Sequence, residues 1–567
     1  MLSDNLDKNN NINNINNSVN GVKIFALGGL NEVGKNAYCI ETNEIIVIVD
    51  MGIKFLKIHD NFIKGLVPET KYLNFTNKIK ILVITHGHED HIGGILFLLK
   101  NVGVSIIYAP KLAAELIRNK LKLFSHFKNR VKIVEYNSDS KFDIRNGEVY
   151  LSFFSVTHSI PDSFGIVIDT VEGRIVTTGD FKIDLTPINN ANIELDKIAC
   201  FGREKVDLLL SDSTNAALEG YTSSEKNVYQ AINNIFCKTQ GRIIITTFSS
   251  SIFRIQQIVS IACKYNRKIV IVGKSMKFAV EIAIKHSYMK INRSSIIDVS
   301  QINNYKLNEI CIICTGSQGE KNSALSKIIN GEYKIKIIPG DTVIFSSGTI
   351  PGNGEDVERI MNELSKLGAN IYTNDIVQIH SSGHPSKQEL MLMLRLLNPR
   401  FFMPVHGEYH MLIEHAKVAN LVGIKHENIF VLNNGDTLIL KNHDIFNGKN
   451  IPITPICLDD NSNVVSKNIV FEKDIIKLNG IVIIIVFIPK NIDDFRKPFV
   501  LIKGFILEEI DYFKNKVCSE IHDNIENFKH KTNDQIKKMV ILLVENIMQR
   551  ITKKRPLIIP VIITKNN

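Results

Sequence analysis

The sequence predicts an α/β protein in which one α/β domain is inserted into another, with a small α/β domain following at the C-terminal end. Three observations predict this class. Short apolar runs end directly at histidine or aspartate residues, early in the chain and again near residue 406. Between them, residues 216–374 alternate strand-like runs with segments of helical period, which is typical of a parallel sheet. Beyond residue 475 a further strand, at 481–488, and a helix, at about 533–551, are predicted.

The composition is that of a globular protein with several domains. The chain has 567 residues, of which 44% are hydrophobic and 22% charged, with a net charge of +10 and a pI of about 8.9. This modest positive excess favours an acidic partner such as nucleic acid. The longest apolar run, 481–488, falls far short of the roughly 20 residues of a membrane span. Residues 1–20 are polar and Asn-rich, so we expect a disordered tail there, no signal peptide, and a cytoplasmic protein without a membrane partner.

The eight cysteines are scattered along the chain. Cys311 and Cys314 have the spacing of a redox or metal motif, but they lie within an apolar run and no second pair is nearby. We interpret them as the interior of a strand, with a redox or metal role as the alternative.

The first two strands are predicted at 22–29 and 44–50. The first ends in a Gly-Gly turn, and the second ends at Asp50. A carboxylate in this position can accept hydrogen bonds from the next loop, or it can orient a metal-binding histidine from behind. The alternative is an aspartate that only caps a turn.

The functional prediction depends most on the loop after the predicted strand 79–84. This loop reads Thr-His-Gly-His-Glu-Asp-His-Ile-Gly-Gly and carries four candidate ligands, His86, His88, Asp90 and His91. The first two histidines can reach one metal ion, whereas the Asp-His pair further along can reach a second. Imidazole and carboxylate groups suit Zn²⁺ or Mn²⁺, and the lack of a thiolate argues against a closed structural zinc site. The alternative is a solvated polar loop with chance histidines.

Two later strand ends repeat this placement. The predicted strand 151–156 ends just before His158, and the predicted strand 174–178 ends just before Asp180. A lone histidine in a loop is usually structural, so these residues become ligand candidates only together with the first loop.

The inserted domain is predicted from four apolar strands, at 242–248, 268–272, 310–314 and 342–346. After it come His380-Ser381-Ser382-Gly383-His384 and a short strand that ends at His406, where we expect the chain to return to the first domain. The expected organisation is a first domain at 21–215 and 375–453, an insert at 216–374, a polar linker at 454–474 and a C-terminal domain at 475–567.

Nine segments in this order resemble the bacterial ribonuclease J family, the β-CASP branch of the metallo-β-lactamase nucleases. They are HGHEDHIGG (86–94), VTHSIPDS (156–163), TGDFKID (178–184), SDSTNA (211–216), CTGSQGE (314–320), IPGN (350–353), HSSGHPSKQEL (380–390), FFMPVHGEY (401–409) and KRPLIIPVII (554–563). The resemblance covers nearly all of the chain from Val22 to Ile563. It implies a metallo-β-lactamase αββα sandwich, a β-CASP domain inserted into it, and a C-terminal domain that assists dimerisation.

The resemblance also implies two divalent metal ions per subunit, zinc first, with manganese or magnesium as alternatives. It assigns one ion to His86, His88, His158 and Asp180. It assigns the second ion to Asp90, His91, His406 and Asp180, so that Asp180 bridges the two ions.

The implied activity is hydrolysis of RNA phosphodiester bonds, by a 5′→3′ exonuclease that favours 5′-monophosphate ends and by an endonuclease. The two ions would hold a hydroxide nucleophile. His384 would donate a proton to the leaving 3′ oxygen, and Asp212 would hold its imidazole. The products would carry a 5′-phosphate and a 3′-hydroxyl, and the implied processes are mRNA decay and rRNA maturation.

The same resemblance suggests RNA contacts. Ser381, Ser382 and Gly383, with His384, resemble a pocket that grips the terminal phosphate. Phe55 falls where the family stacks an aromatic ring on a base, with a packed hydrophobe as the alternative, and His380 either joins the pocket or packs at a strand end. The remaining histidines, among them His59, His126, His410 and His415, are interpreted as structural or surface residues.

The implied partners are single-stranded RNA, further copies of the chain in a homodimer or homotetramer, a paralogous subunit, and a degradosome or the ribosome. Three departures from the family pattern affect fine RNA contacts and the linker: Phe253 where a histidine is usual, Gly354 ahead of Glu355, and DDNSNVVS at 459–466 in place of a glycine-rich stretch.

Three alternatives remain beside this interpretation. The same fold could act on lactams, thioesters or tRNA precursors, but the HSSGH and VHGE motifs argue against this. It could be a 3′-end processing endonuclease of the archaeal or eukaryotic type, but the KRPLIIPVI tail and the TGSQGE wording argue against that. It could also be a non-catalytic RNA-binding or partner subunit, although no ligand is missing.

Overall fold

The computed structural model describes residues 21–56, 63–122, 124, 131–188, 192–350, 352–459, 461–488, 496–504, 510–529 and 531–564. The predicted tail at 1–20, His59 and His126 lie outside the described residues. The chain divides into two units, Met1–Ile456 and Cys457–Asn567.

The first unit opens with the strands and helices that carry most of the candidate ligands. They are β1 (Val22–Gly28), β2 (Ala37–Glu41), β3 (Ile45–Val49), β4 (Lys54–Phe55), β5 (Gly65–Val67), α1 (Lys71–Asn74), β6 (Ile79–Val83), α2 (Glu89–Ile92), α3 (Ile95–Asn101), β7 (Val104–Pro110), α4 (Lys111–Lys122), β8 (Lys132–Tyr136), β9 (Lys141–Ile144), β10 (Val149–Val156), β11 (Ser163–Thr170), β12 (Gly173–Thr177), α5 (Leu195–Arg203) and β13 (Leu208–Asp212).

The insert follows as alternating helices and strands. They are α6 (Glu225–Lys238), β14 (Ile243–Thr246), α7 (Ile252–Lys264), β15 (Lys268–Val272), α8 (Lys274–Lys285), β16 (Ile310–Cys314), α9 (Ala324–Ile329), β17 (Thr342–Phe345), α10 (Gly354–Lys366) and β18 (Asn370–Tyr372), with short 3-10 helices at Arg293–Ser295, Val299–Asn304 and Leu307–Glu309. The five strands form one sheet in the order β15-β16-β14-β17-β18, and every neighbouring pair is parallel. Cys311 and Cys314 lie buried inside β16, as predicted, where burial raises the pKa of each thiol to about 12.

After the insert the chain rejoins the first domain. The remaining elements of this unit are α11 (Lys387–Leu397), β19 (Phe401–Val405), α12 (Tyr409–Leu421), a 3-10 helix at His426–Asn428, β20 (Thr437–Lys441) and β21 (Asp444–Asn447). Strand β19 pairs in parallel with β13, from Leu208 opposite Phe401 to Asp212 opposite Val405. Residues nearly two hundred positions apart are therefore neighbours in one sheet.

The core of this first domain lies between two sheets. One has the order β21-β20-β1-β2-β3-β6-β7-β8, and the other has the order β19-β13-β12-β11-β10-β9. Ile24 and Val83 from the first sheet pack with Phe153 and Leu210 from the second. The outer face of the second sheet is covered by α5, α11 and α12. This double-sheet domain with a parallel α/β insert has the predicted architecture.

The second unit contains β22 (Ile456–Leu458, which starts at the boundary), β23 (Val464–Val465), α13 (Lys467–Asn479), β24 (Ile481–Ile488), β25 (Phe499–Lys503), α14 (Ile510–Asp523), α15 (Ile525–Lys529), α16 (Asn533–Thr552) and β26 (Leu557–Thr564). Its three-stranded sheet has the order β25-β24-β26. One face buries Val482 and Ile484 against Phe513 and Val540 of the helices.

The segment 454–474 has more regular structure than the polar linker predicted there. It holds β22, β23 and the first part of α13. The hydroxyl of Ser466 accepts a hydrogen bond from the backbone N–H of Ile469 and caps α13. The polar composition of the segment gave no indication of this helix start. Within the described ranges, no helix is long and apolar enough to cross a lipid bilayer.

Candidate functional site

Five strands end at one edge of the two facing sheets, and each end supplies a candidate residue. His86 follows β6, His158 follows β10, Asp180 follows β12, Asp212 ends β13 and His406 follows β19. The parallel register of β12, β13 and β19 brings the last three ends together. The structure therefore gathers residues that lie up to 320 positions apart in the sequence.

Three imidazoles form the first donor group: His86, His88 and His158. Nε2 of His86 lies 3.1 Å from Nδ1 of His88, which lies 3.0 Å from Nε2 of His158. Burial lowers the pKa of His88 to about 4 and of His158 to about 3, and it holds the pKa of His86 well below its usual value. Neutral imidazoles keep the lone pairs that a metal ion needs.

The second donor group contains Asp90, His91, Asp180 and His406. Oδ2 of Asp180 lies 3.2 Å from Nε2 of His91, and its Oδ1 lies 3.1 Å from Nδ1 of His406. Burial disfavours the charged forms of both imidazoles, but the surrounding carboxylates, Asp180 foremost, hold both pKa values well above the usual range.

Asp180 lies between the two groups. Its Oδ2 is 3.7 Å from Nε2 of His86 and 3.9 Å from Nε2 of His158, while it also contacts His91 and His406. Burial disfavours its charge, but His406 and His91 outweigh that effect and hold its pKa well below the usual value. A single buried carboxylate is thus within reach of both groups.

In three of the candidate histidines Nδ1 has a hydrogen-bond partner outside the donor groups, and this partner fixes the orientation of the ring. Nδ1 of His91 donates to Oδ2 of Asp50 at 2.7 Å, and Nδ1 of His158 donates to the carbonyl of Gly383 at 2.6 Å. Nδ1 of His86 lies 3.0 Å from the hydroxyl of Thr85, which itself donates to Asp50. Each arrangement leaves Nε2 directed at the donor groups.

Two residues of the site hold left-handed backbone conformations. Asp50 has φ of 62° and His406 has φ of 52°, although neither is glycine. Such conformations cost about 1–3 kcal/mol each and persist where the surroundings enforce them. Gly52 is required for a different reason, since a Cβ there would lie 1.6 Å from the carbonyl oxygen of Asp90.

His384 and Asp212 form a pair beside Asp180. Nδ1 of His384 lies 2.7 Å from Oδ2 of Asp212 and 3.9 Å from Oδ2 of Asp180. The other oxygen of Asp212 accepts from the N–H and hydroxyl of Thr214, at 2.9 and 2.8 Å. Burial opposes the charge of His384, but Asp212 outweighs it, so the pKa of His384 is raised. Geometrically, Asp180, Asp212, His384 and His406 also form a third group of convergent donors.

The segment 380–384 contacts two other loops, at Asn215 just after β13 and at Ser223 just before α6. The hydroxyl of Ser382 accepts from Nδ2 of Asn215 at 2.8 Å and from the N–H of His384 at 3.1 Å, which leaves its own proton free to donate. The hydroxyl of Ser381 donates to the carbonyl of Ser223. These contacts tie the segment to the start of the insert.

His380 and Phe55 differ from the rest of the predicted set. Burial, together with the charge of Arg254, lowers the pKa of His380 to about 4, and its ring packs against Gly348. This geometry favours the packing interpretation of His380. Phe55 lies on β4 with 55% of its surface exposed, so it is not the packed hydrophobe of the alternative.

Several residues with close contacts to the site escaped the sequence reasoning. Thr85 and Asn36 contact His86 and His91, and Lys182 is buried against Ser381. Lys182 stands within the TGDFKID segment and Thr85 directly precedes HGHEDHIGG. Their contacts with Ser381 and Asp50, however, join loops that are far apart in the sequence. His415, predicted as structural or surface, is buried with Nδ1 3.0 Å from the hydroxyl of Ser213, while His410 is exposed.

The donor set fits divalent metal ions. Nε2 of His406 is buried and has no hydrogen-bond partner, although Oδ2 of Asp90 lies 3.3 Å away. In the first group, ring nitrogens approach one another within 3.1 Å, and a cation between them would relieve the facing lone pairs. Nitrogen and oxygen donors of this kind suit Zn²⁺, Mn²⁺ or other divalent ions.

Family models match four parts of the chain. They are described as a beta-lactamase superfamily domain (60–196), a ribonuclease J beta-CASP domain (240–364), a Zn-dependent metallo-hydrolase RNA specificity domain (368–431) and a ribonuclease J C-terminal domain (469–565). These matches confirm the predicted fold class, a metallo-β-lactamase domain with an inserted β-CASP domain and a C-terminal domain.

Curated relatives match over nearly the whole chain. "Ribonuclease J 1" of Streptococcus pyogenes is 38% identical, covering 96% of this chain and 98% of its own. "Ribonuclease J" of Mycoplasma genitalium is 38% identical over 91% and 92%, and "Ribonuclease J2" of Bacillus subtilis is 33% identical over 95% and 98%. A crystal structure of a protein of unknown function from Enterococcus faecalis is similar in fold, with a TM-score of 0.54 and 15% identity over 74% of this chain and 100% of that one.

Proposed function

The chain belongs to the ribonuclease J family and is a hydrolase that acts as a ribonuclease, and on that premise we propose that it cleaves single-stranded RNA from 5′-monophosphate ends in the 5′→3′ direction and also internally. The products would carry a 5′-phosphate and a 3′-hydroxyl. The observation that carries this proposal is the His384–Asp212 pair, which lies beside Asp180, whose carboxylate is within reach of both donor groups. In this proposal His384, the proton donor, stands next to the residues that would hold the metal ions.

We assign one divalent ion to His86, His88, His158 and Asp180, and a second ion to Asp90, His91, His406 and Asp180. When bound, two such ions, for which we propose zinc, would activate a water molecule and neutralise charge on the phosphate. Asp50 would hold the ring of His91 in the required tautomer.

His384 would act as the proton donor to the leaving 3′ oxygen. Its Nδ1 proton is engaged by Asp212, so Nε2 is the nitrogen left for transfer. Against the effect of burial, Asp212 raises the pKa of this ring, which favours the protonated form that a proton donor needs. Asp212 would fix the tautomer and orientation of this ring.

The 5′-phosphate would bind at 381–384. Ser382 has a hydroxyl proton to donate. Gly383 lets the segment pass close to His158, whose ring a Cβ at this position would meet at 2.6 Å. Ser381 supports the segment, because its hydroxyl is already committed to Ser223. Phe55 would stack on a base.

The end preference is tested with one end-labelled RNA that carries either a 5′-monophosphate or a 5′-triphosphate, incubated with the protein and Mn²⁺ or Zn²⁺. We expect mononucleotides to be released mainly from the monophosphate form. Internal cuts alone would identify an endonuclease of the same fold. No cleavage by metal-loaded protein that still binds RNA would favour a non-catalytic subunit.

We also propose that the chain forms a homodimer or homotetramer, acting in the cytoplasm in mRNA decay and rRNA maturation. Register places Phe499, Val561 and Ile563 on the sheet face opposite the helices of the second unit, with 56%, 40% and 44% of their surface exposed. Burial of these side chains by a partner would be favourable. Analytical ultracentrifugation should show an oligomer that Val561→Lys dissociates; a wild-type monomer at micromolar concentration would contradict the proposal.

A further inference from the structure

A buried lysine joins three segments around the proposed site. Lys182 follows Asp180 by two residues, and its side chain is only 3% exposed. Its Nζ donates to the hydroxyl of Ser381 at 3.0 Å and lies 3.5 Å from the carbonyl of Ser223. An ammonium group is not buried without partners, because desolvation of an unpaired charge is costly.

The charge of Lys182 is balanced by two carboxylates. Oδ2 of Asp184 lies 3.6 Å from Nζ, and Oε1 of Glu225, the first residue of α6, lies 3.8 Å away. Each carboxylate has other partners as well. Asp184 accepts from the N–H groups of Thr186 and Glu225, both at 3.0 Å, so it remains hydrogen-bonded without Lys182.

The chain of charges continues into the insert through Arg254. Its Nη2 contacts both oxygens of Glu225, at 2.9 and 2.8 Å. Its Nη1 donates to the hydroxyl of Ser346 at 2.7 Å and to the carbonyl of Ile379 at 2.8 Å. Lys182, Glu225 and Arg254 therefore form a continuous ionic chain, in which both cations are buried and Glu225 is partly buried. This chain holds the segment 379–384 at two points, Ile379 and Ser381.

The backbone of Lys182 has a separate role. Its N–H donates to the carbonyl of Thr157 at 2.7 Å, and its carbonyl accepts from the hydroxyl of Thr157 at 2.6 Å. These bonds hold the loop that carries His158, and a change of side chain leaves them in place. Only the contacts to Ser381, Ser223 and the carboxylates depend on the ammonium group.

We infer that Lys182 is a positioning residue that, through Ser381 and the Glu225–Arg254 pair, sets the segment 380–384 against the donor groups. The inference rests on the proposed function of that segment in holding the phosphate and the proton donor. It assigns Lys182 no contact with RNA. The ionic chain fixes where Ser382 and His384 stand. Its ammonium group contacts Ser381, Ser223, Asp184 and Glu225, and the segment meets the donor groups through the carbonyl of Gly383, which accepts from His158.

Lys182→Met tests this inference with two substrates. We expect RNA cleavage to fall by about 10²-fold, the loss that follows from displacing a reacting group by about 1 Å. Hydrolysis of bis(p-nitrophenyl) phosphate should stay within about twofold, since its good leaving group needs no proton donor and no phosphate pocket. Metal content should be unchanged, and Lys182→Arg, which keeps the charge, should restore part of the RNA activity.

A double-mutant cycle separates positioning from general destabilisation. If Lys182 acts through Ser381, then Lys182→Met combined with Ser381→Ala should be little worse than Lys182→Met alone. Arg242→Met is the matched control, because Arg242 donates to Asp341 in another buried ion pair of the insert, at 2.9 Å, and has no part in the chain described above. It should leave the ratio of RNA cleavage to bis(p-nitrophenyl) phosphate hydrolysis unchanged.

Three results would overturn the inference: unchanged RNA cleavage by Lys182→Met, equal losses on both substrates, or loss of metal. Its failure is distinguishable from failure of the proposed function. If the wild type shows no preference for 5′-monophosphate ends, the proposed end recognition fails, while the ratio between the two substrates still decides the role of Lys182.

Discussion

Asp180→Asn is expected to lower the rate of RNA cleavage by more than about 10⁴-fold. A water molecule activated by a metal ion gains most of its reactivity because the ion lowers the pKa of that water from 15.7 towards ~7. Asp180 is the residue whose carboxylate reaches both donor groups, with His91 and His406 on one side and His86 on the other. The amide of asparagine has nearly the same shape but carries no charge, and its nitrogen cannot bind a metal ion. Both ions should therefore be lost together.

The measurement combines elemental analysis of the purified protein with thermal unfolding in the presence and absence of Zn²⁺. Wild-type protein should contain two ions per chain and unfold at a higher temperature when Zn²⁺ is added, since a ligand that binds only the folded state stabilises it. Asp180→Asn should show neither property while keeping its circular dichroism spectrum.

Two further variants serve as controls for the loss of cleavage and of metal in Asp180→Asn. His88→Ala removes a donor from the first group alone, so it should abolish cleavage but retain the ion of the second group. His410→Ala changes an exposed histidine four residues after His406 and should behave as the wild type. Retention of both ions by Asp180→Asn would contradict its assignment to both groups, and loss of a single ion would restrict it to one.

Much of this site could be predicted because its chemistry is local in sequence. His86, His88, Asp90 and His91 stand within six residues after a buried strand, and the strands that precede His158, Asp180 and His406 are short apolar runs with clear ends. Strands that end at the same edge of a sheet bring the residues that follow them together, however far apart these residues lie in the sequence. The structure accordingly places the predicted ligands in two adjoining groups.

The rest depends on contacts that no local pattern encodes. Lys182 stands in a recognised motif, but its partners Ser381 and Glu225 lie 199 and 43 positions away, and only the docking of the insert brings them close. The left-handed backbone of Asp50 and His406 is likewise set by the surrounding loops, since aspartate and histidine tolerate this conformation better than most residues but do not require it. In the segment 454–474, polar composition suggested a linker, whereas a serine cap starts a helix there.

His384→Ala is expected to lower the rate of RNA cleavage by about 10²–10⁴-fold, the usual contribution of a positioned proton donor, with metal content unchanged. Asp212→Asn should cause a smaller loss, because the ring remains but its tautomer is no longer fixed by the carboxylate at 2.7 Å. Steady-state cleavage of 5′-monophosphate RNA, with the metal content of each variant measured in parallel, gives both numbers.

The competing assignment makes His384 a metal ligand, because it also converges with Asp180, Asp212 and His406. The geometry argues against this. Nδ1 is the nitrogen nearest to Asp180, and it is already bonded to Asp212, whose other oxygen is occupied by Thr214. A ligand role through Nδ1 would require the bond to Asp212 to break.

Bis(p-nitrophenyl) phosphate separates the two assignments. A proton donor is unnecessary for this substrate because p-nitrophenolate leaves unassisted, so His384→Ala should hydrolyse it at close to the wild-type rate. A metal ligand would be needed for either substrate. Parallel loss of both activities, together with loss of an ion, would make His384 part of the metal centre, and the proton for the leaving oxygen would then have to come from another group.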